Sequence, residues 1–274
     1  MTSWLGPIGL PEVIAGIIVL ALDAYVLTGG ADYGGGVWDL LASGDRRREP
    51  RELIAQSIAP IWEANHVWLI VAVVMLFTAF PAAFGMLGIV LHVPLTLLLI
   101  GIVMRGSAFV FRSYWSGDRA QARRWGISFA IASLLTPVLL GTVIGAVASG
   151  AVGAASERIG RAGFADVFVW PWLAPFPIAV GLFALALFAF LAAVYLTIEA
   201  REPELREDFR RRALGAAAAV FALAGVALGL STRAAPRVTL ELLVTGLAAG
   251  AVILLPSLRY LFRTFKSDSA RPVG

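Results

Sequence analysis

Long apolar runs alternate with short clusters of charge along this chain. Seven runs lie near 10–30, 54–80, 86–110, 125–149, 172–198, 213–231 and 239–261. Each is long enough to cross the ~30 Å hydrocarbon core, which takes about 20 helical residues. Strand-like alternation is absent, and a helix is the remaining way to satisfy backbone polar groups in lipid. The pattern predicts an all-α integral membrane protein, a polytopic bundle of about seven transmembrane helices forming a single membrane-embedded domain over 1–274. Between the runs, residues 31–53 read as a Gly-rich exit from the first helix followed by a solvated charge cluster. Residues 150–171 read as the longest outside connection, ending in Val169-Trp170-Pro171-Trp172, an interfacial aromatic anchor. Residues 200–212 read as a cytoplasmic connection of mixed charge.

Composition agrees with the pattern. Apolar residues make up 59% of the chain and charged residues 15%, against roughly 25% charged in a soluble domain. No Lys or Arg precedes the first run, so the basic start of a cleavable signal peptide is not expected.

The basic residues then set orientation. Arg46, Arg47, Arg48 and Arg51 fall between the first two runs, and Arg112, Arg119, Arg123 and Arg124 between the third and fourth. Arg201, Arg206, Arg210, Arg211 and Arg212 follow the fifth, and Arg259, Arg263, Lys266 and Arg271 lie at the C-terminal end. The alternate segments hold only Arg158, Arg161, Arg233 and Arg237. This bias predicts the N-terminus outside and the C-terminus in the cytoplasm. The net charge of +4 therefore reports topology and contact with anionic headgroups, and no nucleic-acid partner is expected. Zero Cys removes disulfides, zinc–cysteine sites, iron–sulfur clusters and thiolate catalysis.

Against this background the polar groups inside the runs stand out. Ser57 to Ile70 places Trp62, Glu63, Asn65, His66 and Trp68 within one span. A charge at bilayer depth costs from roughly 2.5 to ~10 kcal/mol or more, so Glu63 implies a partner, a polar cavity or proton handling. Glu63 and His66 are i,i+3 and Trp62 and His66 are i,i+4, which puts them on one side of a helix, while Asn65 points away. A packing network joined by hydrogen bonds is the competing explanation. Asp23 sits inside the first run with no cation nearby in sequence, so its partner comes from another helix or it stays protonated. Arg105 lies about 10 Å deeper than Arg112, which snorkels to the interface. A buried Arg needs a carboxylate or several carbonyls, and Glu63 and Asp32 are the candidates. The glycines of Gly29 to Gly36 lack the spacing of a phosphate loop and instead suit close helix contact at a helix end. The two histidines, His66 and His92, differ in depth by about seven residues, roughly 10 Å, which disfavours a haem held between them. No metal site is expected.

Three of these clusters, in this order, resemble subunit II of cytochrome bd-type quinol oxidases. They are the Gly/Asp stretch Thr28–Gly36, the Ser-Ile-Ala-Pro-x-Trp-[acid]-x-Asn-x-Val-Trp-Leu-Ile signature at 57–70, and Arg-x-x-x-Phe-x-x-Arg-Ser at 105–113. A weaker fourth piece is Pro175-Phe176 followed by Ala193-x-Tyr195-Leu196. The resemblance implies a haem-free subunit whose partner, subunit I, carries haem b and haem d and oxidises quinol, while dioxygen is reduced to water. This chain would supply scaffold and a proton-access route in the inner, cytoplasmic membrane of a prokaryote. Lipid and small accessory subunits are further partners to expect. Glu63 matches the acidic position proposed in the family to serve a proton route, and Asp32 matches the second Asp of the family's Asp-Gly-Phe-Asp-x-Gly pattern. The first Asp of that pattern is Gly29 here, and Asp23 replaces it only by facing the same cavity. The family usually has eight or nine spans. Proton pathway and polar network are thus assigned to Glu63, Asp32, Asp23, His66 and Asn65, and structural charge and packing to Arg105, Arg112, Trp62 and Trp68. A proton-coupled secondary transporter using Glu63, Asp23 and Arg105 is the alternative, although no half-to-half repeat supports it.

Overall fold

A computed structural model describes residues 9–42, 48–58, 62–114 and 119–234. Eleven helices occur among them: α1 (Leu10–Leu41), α2 (Arg48–Ile58), α3 (Trp62–Ala79), α4 (Pro81–Val90), α5 (His92–Tyr114), α6 (Arg119–Ala148), α7 (Ala151–Ser156), α8 (Phe164–Phe168), α9 (Trp170–Leu173), α10 (Pro175–Glu199) and α11 (Pro203–Ala234). Five are long and apolar enough to cross a membrane, or six if the bent pair α3–α4 forms one span. The predicted seventh span, 239–261, lies outside the described residues.

Proline places several of the helix starts. Pro11, Pro81, Pro171 and Pro175 sit in the first positions of α1, α4, α9 and α10, where the missing N–H would have no intrahelical partner anyway. Pro137 instead lies inside α6, which continues past it.

The helix α10 is the centre of the bundle, packing against α11, α6 and α1. Its crossings rely on small residues. A Cβ at Gly34 of α1 would overlap the Phe188 carbonyl oxygen of α10. On α6, a Cβ at Gly141 would stand 2.6 Å from Gly181 Cα and one at Gly145 2.6 Å from Pro177 Cα. Backbones approach this closely in membranes because dispersion and polar contacts must replace the hydrophobic drive that lipid abolishes. Trp38 adds a directed bond, its Nε1 donating to the Ala189 carbonyl at 2.8 Å.

Several sequence expectations are corrected here. The Gly-rich stretch is no exit: α1 runs unbroken through it to Leu41, because the contacts with α10 and α6 outweigh the low helix propensity of glycine. Within the predicted charge cluster, Asp39 is buried and faces Arg51 of α2, Nε to Oδ1 3.6 Å. Within the predicted span 54–80 the described residues form the end of α2, to Ile58, and α3, from Trp62. At Phe80 (φ −131°, ψ 57°) the chain leaves α3, and α4 departs at 114°. The predicted third span, 86–110, is likewise split at Leu91 into α4 and α5. Residues 150–171 contain the short helices α7 and α8 and the start of α9. The charged connection 200–212 is mostly the start of α11, where Glu207 pairs with Arg210 and Arg211, and Asp208 with Arg212, at helical spacing.

Valine at Gly34 should lower the thermal midpoint of the detergent-solubilised protein by the equivalent of about 1–3 kcal/mol or more, since the obstacle is backbone. Alanine at Gly16, which meets nothing within 4 Å, should leave it unchanged or raise it by the equivalent of up to about 1 kcal/mol, through the higher helix propensity of alanine. Equal midpoints for the two variants would contradict the packing described.

Candidate functional site

The inward face of α1 carries Tyr25, Gly29, Asp32 and Gly36, spaced by three or four residues so that they follow one side of the helix, with Tyr33 beside Asp32. Asp32 is 0% exposed, and Arg105, which reaches it from α5, is 2% exposed. The guanidinium Nη2 donates to the Asp32 carboxylate Oδ1 and also to the Asp32 carbonyl oxygen at 3.0 Å. Its Cζ lies 4.6 Å from the Tyr33 ring centroid and 5.2 Å from that of Phe129 on α6. Two aromatic faces and one carboxylate therefore compensate a cation removed from water, a removal that costs several kcal/mol per ion.

The pair leaves polar capacity unused. Asp32 Oδ2 and Arg105 Nε are buried without a hydrogen-bond partner, as are Asn65 Nδ2, Ser133 Oγ and Thr136 Oγ1. Ser133 fills the space beside Gly36, one turn from Asp32, and Thr136 fills the space beside Gly101, one turn from Arg105. The unused groups thus gather where α1, α5 and α6 meet, with Asn65 reaching the same region from α3 beside Gly29. Buried polar atoms of this kind are where ordered water binds in proteins.

A second polar chain adjoins the pair. Tyr25 Oη donates to Tyr33 Oη at 3.2 Å, and Tyr33 Oη lies 3.4 Å from His66 Nε2 on α3. The Tyr25 and His66 rings meet edge to face at 5.9 Å, and Tyr33 stacks on Phe188 of α10 at 6.0 Å. The Tyr25 ring packs close to Gly29, where a Cβ would stand 3.2 Å from Tyr25 Cε2.

The residues singled out in the sequence are therefore only partly united. Asp32, Arg105, Asn65 and His66 converge, and of the two counter-ions considered for Arg105 the structure places Asp32 against it. Asp23 does not join them. It lies on the exposed side of α1, nine residues and hence about half a helical rotation from Asp32, so it does not stand in for the carboxylate that Gly29 lacks. Trp68 points outward, 44% exposed. Trp62 and Glu63 begin α3 and Arg112 lies in α5, but their side chains are outside what is described. His92 packs on Phe164 and Phe168 of α8, away from the elements around His66. Among the described residues there is no group of three or more His, Cys, Asp or Glu placed to hold a metal. Sequence reading missed Tyr25, Tyr33, Ser133 and Thr136, which look like ordinary membrane-helix residues until the helices are brought together.

Replacing Arg105 by Leu strands the Asp32 carboxylate and should destabilise the protein by about 3–5 kcal/mol, read as a lost or lowered thermal midpoint. The swap Arg105→Asp with Asp32→Arg should recover part of it. If Arg105→Leu melts like the parent, the pair is not a structural requirement.

The family model described as cytochrome bd terminal oxidase subunit II matches residues 10–262. The chain is similar to cytochrome bd-I ubiquinol oxidase subunit 2 of Escherichia coli K12, 28% identical over 215 residues, covering 77% of this chain and 55% of that protein. It is also similar to the putative cytochrome bd menaquinol oxidase subunit II of Bacillus subtilis, 28% identical over 116 residues, 42% of this chain and 34% of that one. The chain thus matches about a third to just over half the length of these relatives. In fold it resembles the bd oxidase structure from Geobacillus thermodenitrificans, with a TM-score of 0.61 at 20% identity, covering 81% of this chain and 66% of that chain. With a family model spanning nearly all of its length and three sequence clusters in the same order, the chain belongs to the cytochrome bd terminal oxidase subunit II family.

Proposed function

We propose that this chain is the haem-free second subunit of a quinol-oxidising, dioxygen-reducing complex in a prokaryotic inner membrane, with its N-terminus outside. The family match over residues 10–262 carries this reading and takes support away from the transporter alternative. The partner subunit would hold haem b and haem d and supply the electron-transfer chemistry. This chain would contribute scaffold and a route for the protons that dioxygen reduction consumes.

The physical basis for the proton route is the polar seam just described. Protons cross apolar protein only along ionisable side chains, hydroxyls or water. Asp32, Arg105 and Asn65 put such groups in the interior of a bundle that otherwise presents Leu, Val, Ala and Phe, with His66 half-buried beside them. Glu63 lies on α3 one turn before His66, which makes it the carboxylate through which protons would enter the seam. Asp32 serves as the fixed inner charge, while Arg105 holds it in place.

Glu63→Gln in the purified complex should slow quinol-dependent oxygen consumption by about ten-fold or more, in keeping with the usual effect of losing a positioned proton donor. The reduced-minus-oxidised haem spectrum of the co-purified partner should persist. Full turnover in that variant overturns the proton role, and failure of any haem-bearing subunit to co-purify with the parent chain overturns the assembly reading.

A further inference from the structure

We propose that Tyr25, Tyr33 and His66 form a proton relay that crosses from α1 to α3 beside the Asp32–Arg105 pair. The inference rests on the proton-access reading above and adds to it a route that contains no carboxylate.

Hydrogen bonds join the three groups in one chain. Tyr25 Oη donates to Tyr33 Oη at 3.2 Å, so the Tyr33 hydroxyl hydrogen is left to point elsewhere. The acceptor within reach is His66 Nε2 at 3.4 Å, provided that the neutral imidazole carries its proton on Nδ1. A proton delivered to Tyr25 Oη from the polar seam lets Tyr25 pass its own hydrogen to Tyr33 Oη. Tyr33 then passes its hydrogen to His66 Nε2, and His66 returns to neutrality by releasing the Nδ1 proton. One proton enters and one leaves; His66 is left with its proton on Nε2, and return of the ring to the Nδ1–H tautomer with reorientation of the two hydroxyls resets the relay. The hydroxyls and the imidazole are groups that can both donate and accept, which a carboxylate–guanidinium pair locked together does less readily.

Placement supports the same reading. Tyr25 and Tyr33 are each 1% exposed, while His66 is only half-buried, so the chain runs from the packed interior toward the surface of α3. Its geometry is held on several sides: the Arg105 guanidinium lies over the Tyr33 ring, Phe188 stacks against that ring, and the His66 ring meets the edge of Tyr25. The Tyr25 ring edge also lies close against Gly29. The space a side chain at position 29 would enter is bordered by the edge of the Tyr25 ring and by Asn65.

Tyr33→Phe is the discriminating variant because it keeps the ring, its stack and its cation contact and deletes only the hydroxyl. In the purified complex with its haem spectrum intact, it should slow oxygen reduction by about ten-fold or more and raise the solvent deuterium isotope effect on turnover above the parental value. Parental turnover overturns the relay, and so does slowed turnover with an unchanged isotope effect, which marks a structural role. If the Tyr33→Phe complex does not assemble, Tyr25→Phe is read by the same two criteria. Glu63→Gln run alongside separates the two ideas. Slow turnover there with parental turnover in Tyr33→Phe removes the relay alone, and parental turnover in both removes the relay together with the proton-access reading.

Discussion

A carboxylate and a guanidinium buried against each other inside a lipid-spanning bundle constrain everything packed around them. Neither charge is stable there alone, because each would forfeit several kcal/mol of solvation. The helices that carry them, α1 and α5, must therefore keep one register in which Arg105 reaches both the side chain and the backbone carbonyl of Asp32. Tyr33 and Phe129 close over the guanidinium, which extends the constraint to α6. The stacking of Tyr33 on Phe188 extends it to α10. The ion pair is poor evidence for net stability, since apolar replacements of such pairs are often neutral or better. Its value lies in what it fixes: a polar point in an apolar interior, with an oxygen and a nitrogen left over.

Small residues make that point reachable. Where Gly34 meets the Phe188 backbone and Gly36 meets Ser133, α1 comes close enough to α10 and α6 for Asp32 to be enclosed completely. Larger side chains there would hold α1 away and let the carboxylate seek other partners. Helix packing and site electrostatics are in this sense one requirement, met by the same stretch of α1.

The fold class was legible because lipid enforces a simple code, runs of about 20 apolar residues as helices. The Asp32–Arg105 pairing was partly legible as well, since a buried Arg must find a carboxylate and the chain offers few. The continuation of α1 through its glycines was not, because the contacts that stabilise it come from α10 and α6, far away in sequence. Nor was the bend at Phe80: the residues on both sides are apolar, so hydropathy runs straight across it and only Pro81 hints at the break. Asp23 looked like a substitute for the missing carboxylate by proximity along the chain, but helical rotation puts it on the opposite side from Asp32. Tyr25 and Tyr33 gave no signal at all. Their hydroxyls meet only because the rings lean toward each other across two turns of helix.

The central claim, that ionisable groups at the buried pair give protons access to chemistry in a partner subunit, is tested most directly by removing both charges while keeping the shapes. The double variant Asp32→Asn, Arg105→Gln retains a polar contact of similar volume and leaves no unpaired buried charge. In the complex reconstituted into vesicles, proton uptake coupled to oxygen reduction would be followed against the parent, with the haem spectrum as the measure of intact assembly. The account predicts slowed proton uptake and slowed oxygen consumption with the haem signal retained. Parental rates of both would contradict it.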